Sequence, residues 1–368
     1  HRSPLSCESP MPRAVPFVMA VLAAPVLQAQ AAITLLLVNG KITTGDPQQK
    51  EAQAVAIAGT RIAALGSTAE ILRLRQPHTH VFDCHGHLVL PGFHDGRVHF
   101  YQGGRDLTGP RLRYAQNAAE FRSILRDFAS HVPDGHWIVG GNWDCKNWKK
   151  HRLPTHKLID AATEKHPALL KSADGSMCLA NKLALRLAGI GRSTRNPPGG
   201  TIVRGAKGDP TGLLKAAAAK LVERLIPPPS EMQIVAALEE AEAYANARGV
   251  TSIRDLSCTS RVRQAYLYLL HAGRLTVRVT CDPHAPPTSG SDWDNGPMNV
   301  MTYAFSGDIE GSLAPGKPAD LTVLGQAGAQ VIATIFNGLP VYGGLWPLRD
   351  KSGLILRGGT TPARSPDR

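Results

Sequence analysis

LVLPGFHDGRVHF, residues Leu88–Phe100, is the stretch on which the reading of this chain turns. Leu88–Phe93 is an apolar, extended run reaching Pro91-Gly92, a pair that punctuates strands rather than continuing helices. His94, Asp95, Arg97 and His99 follow within a few residues. Side chains two apart on a strand point to one face, so positions 97 and 99 share a side at the strand's end.

Upstream, Leu35–Ile42, Ala54–Ala58, Arg61–Leu65 and Val81–Asp83 are short strand-like runs, punctuated by Asn39-Gly40 and Gly59-Thr60. They predict a small antiparallel β unit. Downstream, residues 115–131 predict an amphipathic helix, Trp137–Val139 a strand and residues 181–189 a short helix. Residues 211–225 and 230–248 predict two longer helices, the second capped by Ser230 and closed by Gly249. Val250–Ile253 predicts a strand with Asp255 just past its end, 260–273 a helix and Leu275–Thr280 a strand. Asp320–Leu324 and Val331–Phe336 return to the β pattern, and Asn337-Gly338 repeats the Asn39-Gly40 hairpin signal. β segments at both ends around an α/β middle predict a split β domain.

Among 368 residues, 43% are hydrophobic and 19% charged, enough to bury a sizeable core. The formal net charge is +12, but no Lys/Arg run reaches five and aromatics are only 5%, which argues against nucleic-acid binding. Six cysteines include no CxxC pair and predict free buried thiols rather than a disulfide framework. Met11–Ala31 has Arg13, the uncharged apolar run Ala14–Leu27 and the small-x-small triplet Ala29-Gln30-Ala31. This is the anatomy of an export signal and too short for a membrane span. Residues 345–368, rich in Gly, Pro, Arg and Ser, predict a disordered tail.

Seven segments together resemble the amidohydrolase superfamily, and within it the amidohydrolase family 3 (YtcJ-like) group. They are LVLPGFHDGRVHF itself, GGNWDCKNWKKHRLPTHKLID (Gly140–Asp160), DGSMCLANKLALRLAGI (Asp174–Ile190), NPPGGTIVR (Asn196–Arg204), GDPTGLLKAA (Gly208–Ala217), PTSGSDWDNGPMN (Pro287–Asn299) and GSLAPGKPADLTVL (Gly311–Leu324). The resemblance implies a TIM-like (β/α) barrel with an inserted α/β segment, and a small β-sandwich domain built from both ends of the chain. It implies a hydrolase of carbon–nitrogen bonds other than peptide bonds, acting on a small amide-type substrate. The family's chemistry needs a divalent metal, zinc by default, which lowers the pKa of its water to about 7 and polarises the carbonyl.

By the same resemblance His99 is a metal ligand, Asp292 a metal ligand and general base, and Lys215 a candidate carbamate bridging two metals. Trp143, Asp174, Ser176 and Trp293 fall on the substrate side. Plainer readings stand beside these. His99 also reads as a strand-end histidine, Asp292 as an Asx-turn after Gly290, and Lys215 as a surface lysine at the start of a helix. His136, His151, His156 and His166 read as surface residues.

Two departures count against the chemistry. Arg97 stands where the motif has its first histidine, and a guanidinium has no lone pair to give a metal. His94 is a substitute three residues upstream. Ser176 stands where the family has a histidine after Asp-Gly. The barrel is also short of chain. A (β/α)₈ barrel takes about 250 residues, yet only seven residues separate Thr280 from Thr288 and eleven separate Asn299 from Gly311. The expected organisation is a leader over 1–31, β domain over 32–86 and 305–344, and a truncated barrel over 87–304 with its insertion at about 105–210. The alternative function is a catalytically inactive, truncated remnant or binding protein.

Overall fold

Asn39 has φ +54, a conformation that asparagine tolerates better than most residues. There the chain leaves strand β1 (Ile33–Val38) and enters β2 (Lys41–Thr43) in a different sheet. The Asn39-Gly40 signal thus marks a change of sheet, not a hairpin. The computed structural model describes residues 32–146, 148, 153–281, 311–325 and 330–343. The expected export signal, the tail after 344, His151, Asp292 and Trp293 lie outside the described residues.

β3 (Glu51–Ala52), β4 (Ala54–Ala58), β5 (Arg61–Gly66), α1 (Thr68–Leu72), β6 (His80–Asp83) and β7 (Leu88–Pro91) follow. The four-stranded sheet runs β5-β4-β1-β6. Leu36 and Val38 of β1 pack with Ile71 of α1, whereas Leu35 and Leu37 share a core with Ile42, Val89, Leu321 and Ile335 of a six-stranded sheet. β1 is therefore buried on both faces, and its apolar run is unbroken rather than alternating.

Gly92 divides what reads as one strand over 88–93. Leu88–Pro91 pairs with β2 on one side and with a C-terminal strand on the other. Phe93 opens β8 (Phe93–Val98), which belongs to a separate parallel sheet. A side chain at 92 would lie 2.1 Å from the Thr251 hydroxyl, so only glycine lets the two sheets meet there. After β8 come α2 (Phe100–Thr108) and α3 (Ala118–Ser130), the latter capped by Asn117.

The inserted segment builds a five-stranded sheet, ordered β12-β13-β11-β10-β9. Its elements are β9 (Ile138–Trp143), α4 (His156–Ile159), β10 (Ala168–Ser172), β11 (Met177–Ala180), α5 (Lys182–Leu187), β12 (Gly200–Arg204), β13 (Pro210–Ala216) and α6 (Lys220–Glu223). One face packs Phe121, Leu125, Ile138, Leu170 and Leu213; the other packs Leu169, Leu185, Ile202, Leu214 and Val222. This corrects the helix expected over 211–225. Leu213 and Leu214 enter opposite cores, as strand geometry requires, and Ala216 at φ +47 cannot continue a helix. The alanine-rich run is helical only at Lys220–Glu223.

α7 (Glu231–Asn246), β14 (Val250–Asp255), α8 (Ser260–His271) and β15 (Arg278–Cys281) complete the α/β middle. Ser230 and Gln233 form a capping box on α7. The parallel sheet is ordered β15-β14-β8, and its core joins Val98, Val250 and Ile253 to Val235, Leu238, Val262 and Leu269. α2 and α7 approach so closely that a Cβ at Gly104 would lie 1.8 Å from the Ala237 carbonyl oxygen.

β16 (Leu321–Leu324), β17 (Val331–Phe336) and β18 (Leu339–Tyr342) finish the six-stranded sheet, ordered β18-β17-β16-β7-β2-β3. Asn337 (φ +48) and Gly338 (φ +74) make a two-residue hairpin turn, with Phe336 opposite Leu339. The fold is mixed α/β.

Two further expectations are corrected. Cys258 and Cys281 form a disulfide with Cα atoms 5.5 Å apart, while Cys84, Cys145 and Cys178 are free and buried. Parallel pairing sets Cys281 opposite Asp255, and the turn after β14 returns Cys258 over that end. His166 is buried, not on the surface, with Nδ1 3.3 Å from the His136 carbonyl oxygen. No described helix is long and apolar enough to cross a membrane.

Candidate functional site at the C-terminal end of the parallel sheet

The site is built where β8 and β14 end. Their pairing sets His94 opposite Ser252, Asp95 opposite Ile253 and Val98 opposite Asp255, so β8 carries one residue more than β14 over this stretch. Such a bulge re-aims side chains, and bulges recur beside active sites. The Asp95 carboxylate accepts from Arg97 N at 3.1 Å across it. Arg97 and His99 are exposed and Asp95 is buried. His94 is half-buried, with Nδ1 2.8 Å from Ser252 Oγ.

His99 occupies the position before α2 and makes no side-chain cap. Asp255, on the neighbouring strand, serves that helix end instead, accepting from Phe100 N at 3.2 Å. Asp255 is fully buried and also accepts from Ser257 N (2.8 Å), Ser257 Oγ (2.7 Å) and Tyr266 Oη (2.8 Å). Burial, then the charge of Asp255, pushes the Tyr266 hydroxyl well above its usual pKa and keeps it a donor. In the sequence Asp255 reads only as a residue past a strand. Its signal, a carboxylate at a parallel strand's C-terminal end, acquires meaning once the strand's neighbours are known.

The other expected site residues are placed elsewhere. Lys215 is exposed on β13, opposite Met177 and Thr201, in the inserted sheet and not at the start of a helix. Trp143 is buried, and its Nε1 donates to the Leu170 carbonyl at 2.8 Å, so its ring faces the core. Asp174 and Ser176 are exposed in the β10–β11 turn. Asp174 accepts from Ser172 Oγ (2.6 Å), Ser176 N (3.1 Å) and Ser176 Oγ (2.9 Å), and these bonds, Ser172's first, hold its carboxyl below the ordinary range. The Trp143 carbonyl accepts from Ala173 N, which brings Trp143, Asp174 and Ser176 to one corner.

The described residues do not fit a metal centre. Arg97 supplies a fixed positive charge and no lone pair beside His99. Both carboxylate oxygens of Asp255 are engaged by protein donors. Among the described residues no group of three or more His, Cys, Asp or Glu side chains could hold a metal ion.

Residues 80–296 match the model of the amidohydrolase family, more than half of the chain. The chain belongs to that family. It is 37% identical over 222 residues to Protein LONG AFTER FAR-RED 3 of Arabidopsis thaliana, a match covering 60% of this chain and 38% of that protein. It is 33% identical over 193 residues to the N-substituted formamide deformylase of Arthrobacter pascens, covering 51% of this chain and 35% of that enzyme. The crystal structure of an uncharacterized metal-dependent hydrolase from Pyrococcus furiosus superimposes with a TM-score of 0.52 at 22% identity, covering 67% of this chain and 49% of the other. That likeness shows the fold alone. The chain spans less than two fifths of the length of these two curated relatives.

Proposed function

We propose that the chain carries the scaffold of a hydrolase for carbon–nitrogen bonds other than peptide bonds, in a form that does not perform metal-activated hydrolysis. In this reading the three parallel strands are an incomplete TIM-like barrel and the two β sheets are the family's β-sandwich, with export as the destination. The observation that carries it is Arg97, exposed beside His99 at the end of β8. A metal-bound water needs several lone-pair donors converging on one ion, and a guanidinium there repels the ion.

The test is metal content after dialysis against zinc, with melting followed in parallel. The wild-type chain is expected to retain less than one tenth of an equivalent and to show no rise in Tm with added zinc. A full equivalent retained by the wild type overturns the reading.

One observation favours a second reading. The family match runs on through Ser291-Asp292-Trp293. If Asp292 completes a centre with His99, the chain hydrolyses a small amide, and an N-substituted formamide is the substrate class suggested by the Arthrobacter relative. Formate release that needs zinc and is lost in Asp292→Asn would establish this second reading.

A further inference from the structure

A polar set lies on α7 where it meets the approach to β15. Glu242 and Asn246, one turn apart, are each 2% exposed, and Thr276 lies between their side chains. Asn246 Nδ2 donates to Thr276 Oγ1 at 2.7 Å, and Thr276 Oγ1 donates to Glu242 Oε2 at 2.7 Å. Thr276 N donates to the same carboxylate oxygen at 2.9 Å. With the Asn246 amide nitrogen turned toward Thr276, the direction of this chain is set, because the backbone N–H and the amide nitrogen are donors only and the hydroxyl has one proton.

Two oxygens are left over. Glu242 Oε1 and Asn246 Oδ1 are buried with no hydrogen-bond partner among the described residues. While Glu242 is a carboxylate both are acceptors and cannot bond each other. A buried oxygen without a donor is costly. A proton on Oε1 would turn that acceptor into a donor.

We propose that below neutral pH the folded chain holds Glu242 as the neutral acid, with Oε1–H donating to Asn246 Oδ1, and that this proton latches α7 to the Thr276 segment. The latch extends further, because the Asn246 carbonyl accepts from Thr334 Oγ1 of β17 at 2.6 Å. The charged and titratable groups facing Glu242 are Glu239 on α7, Arg274 ahead of β15 and Tyr266 on α8. Arg274 already pairs with Glu239, and the Tyr266 hydroxyl is committed to Asp255. α2 meets this part of α7 through Gly104, which brings no charge.

Burial above all, against the pull of the two Thr276 bonds, pushes the Glu242 carboxyl from 4.5 up to about 7. The folded chain then binds more protons than the unfolded chain between these values. Stability from the latch is complete below pH 4.5 and is lost as pH rises through about 7.

The experiment is thermal melting of the full chain from pH 5 to pH 8.5, with infrared spectra of protein labelled with carboxyl-¹³C glutamate. Wild-type Tm is expected to fall across the range by several degrees. In Glu242→Gln the amide oxygen accepts from Thr276 and the amide nitrogen donates to Asn246, so most of that fall disappears. At pH 6, where exposed glutamates are ionised, the labelled wild type shows a protonated-carboxyl stretch that is gone at pH 8.5. Glu242 is the one buried glutamate among the described residues, so the label separates this band from any aspartic acid, even if the Gln variant does not fold. A flat or rising wild-type Tm, a Gln variant that keeps the full slope, or no labelled band at pH 6 would overturn the proposal. Glu242 would then be a carboxylate turned toward Arg274, whose buried Nε is the remaining donor.

Discussion

Asp255 is the residue on which the end of the parallel sheet closes. It replaces the missing cap of α2, fixes the turn at Ser257 and receives the Tyr266 hydroxyl. Truncating it strands several buried donors at once, which costs far more than one net hydrogen bond. Asp255→Ala is expected to lose about 3 kcal/mol of unfolding free energy in urea, with Asp255→Asn losing less because it keeps one acceptor. A loss within 1 kcal/mol for the alanine variant would show that water replaces the carboxylate. Arg97 differs in kind. It is exposed, its substitution is expected to be cheap in stability, and under the proposed function its consequence is chemical.

At the scale of elements, some local signals are legible in the sequence, although the Asn39-Gly40 pair, identical to Asn337-Gly338, marks a change of sheet rather than a hairpin. α7 begins and ends where Ser230 and Gly249 place it, because capping is decided within one turn of chain. The Asn337-Gly338 turn was equally legible. β13 was not, because alanine and leucine suit a helix and only burial between two cores makes the segment a strand. The expected strand at 88–93 divides because Gly92 lies against Thr251, a contact more than 150 residues distant in sequence. The contact of α2 with α7 supplies a direct test. Gly104→Ala forces a Cβ onto a backbone carbonyl and is expected to cost about 2 kcal/mol or more, read as a fall in Tm. An unchanged Tm would mean that the two helices separate freely.

For the whole molecule, five hydrophobic clusters, one of them the small cluster of Leu36, Val38 and Ile71 between β1 and α1, stand on three sheet systems. The two β sheets share one, the inserted sheet lies between two clusters, and the parallel sheet is covered by α2, α7 and α8. Among the described residues β15 and β8 are the edges of the parallel sheet. Unpaired parallel edges invite pairing with another chain. Purified protein is expected to associate with rising concentration in light scattering. Thr280→Lys, on the exposed part of β15 and opposite Arg254, is expected to reduce that association at least several-fold. Scattering independent of concentration would show those edges to be covered.

The residues alone determined the family, the β segments at the two ends of the chain, the limits of α7 and the presence of arginine where a metal-ligating histidine is expected. These rest on motifs and on signals confined to neighbouring residues. The tertiary structure alone decided the division at Gly92, the strand at Lys215, the Cys258–Cys281 bond, the burial of His166 and the roles of Asp255 and Glu242. Each of those depends on groups far apart in sequence meeting where water is excluded, and a hydrogen bond or a proton acquires its energy only once burial has removed the solvent that competes for it.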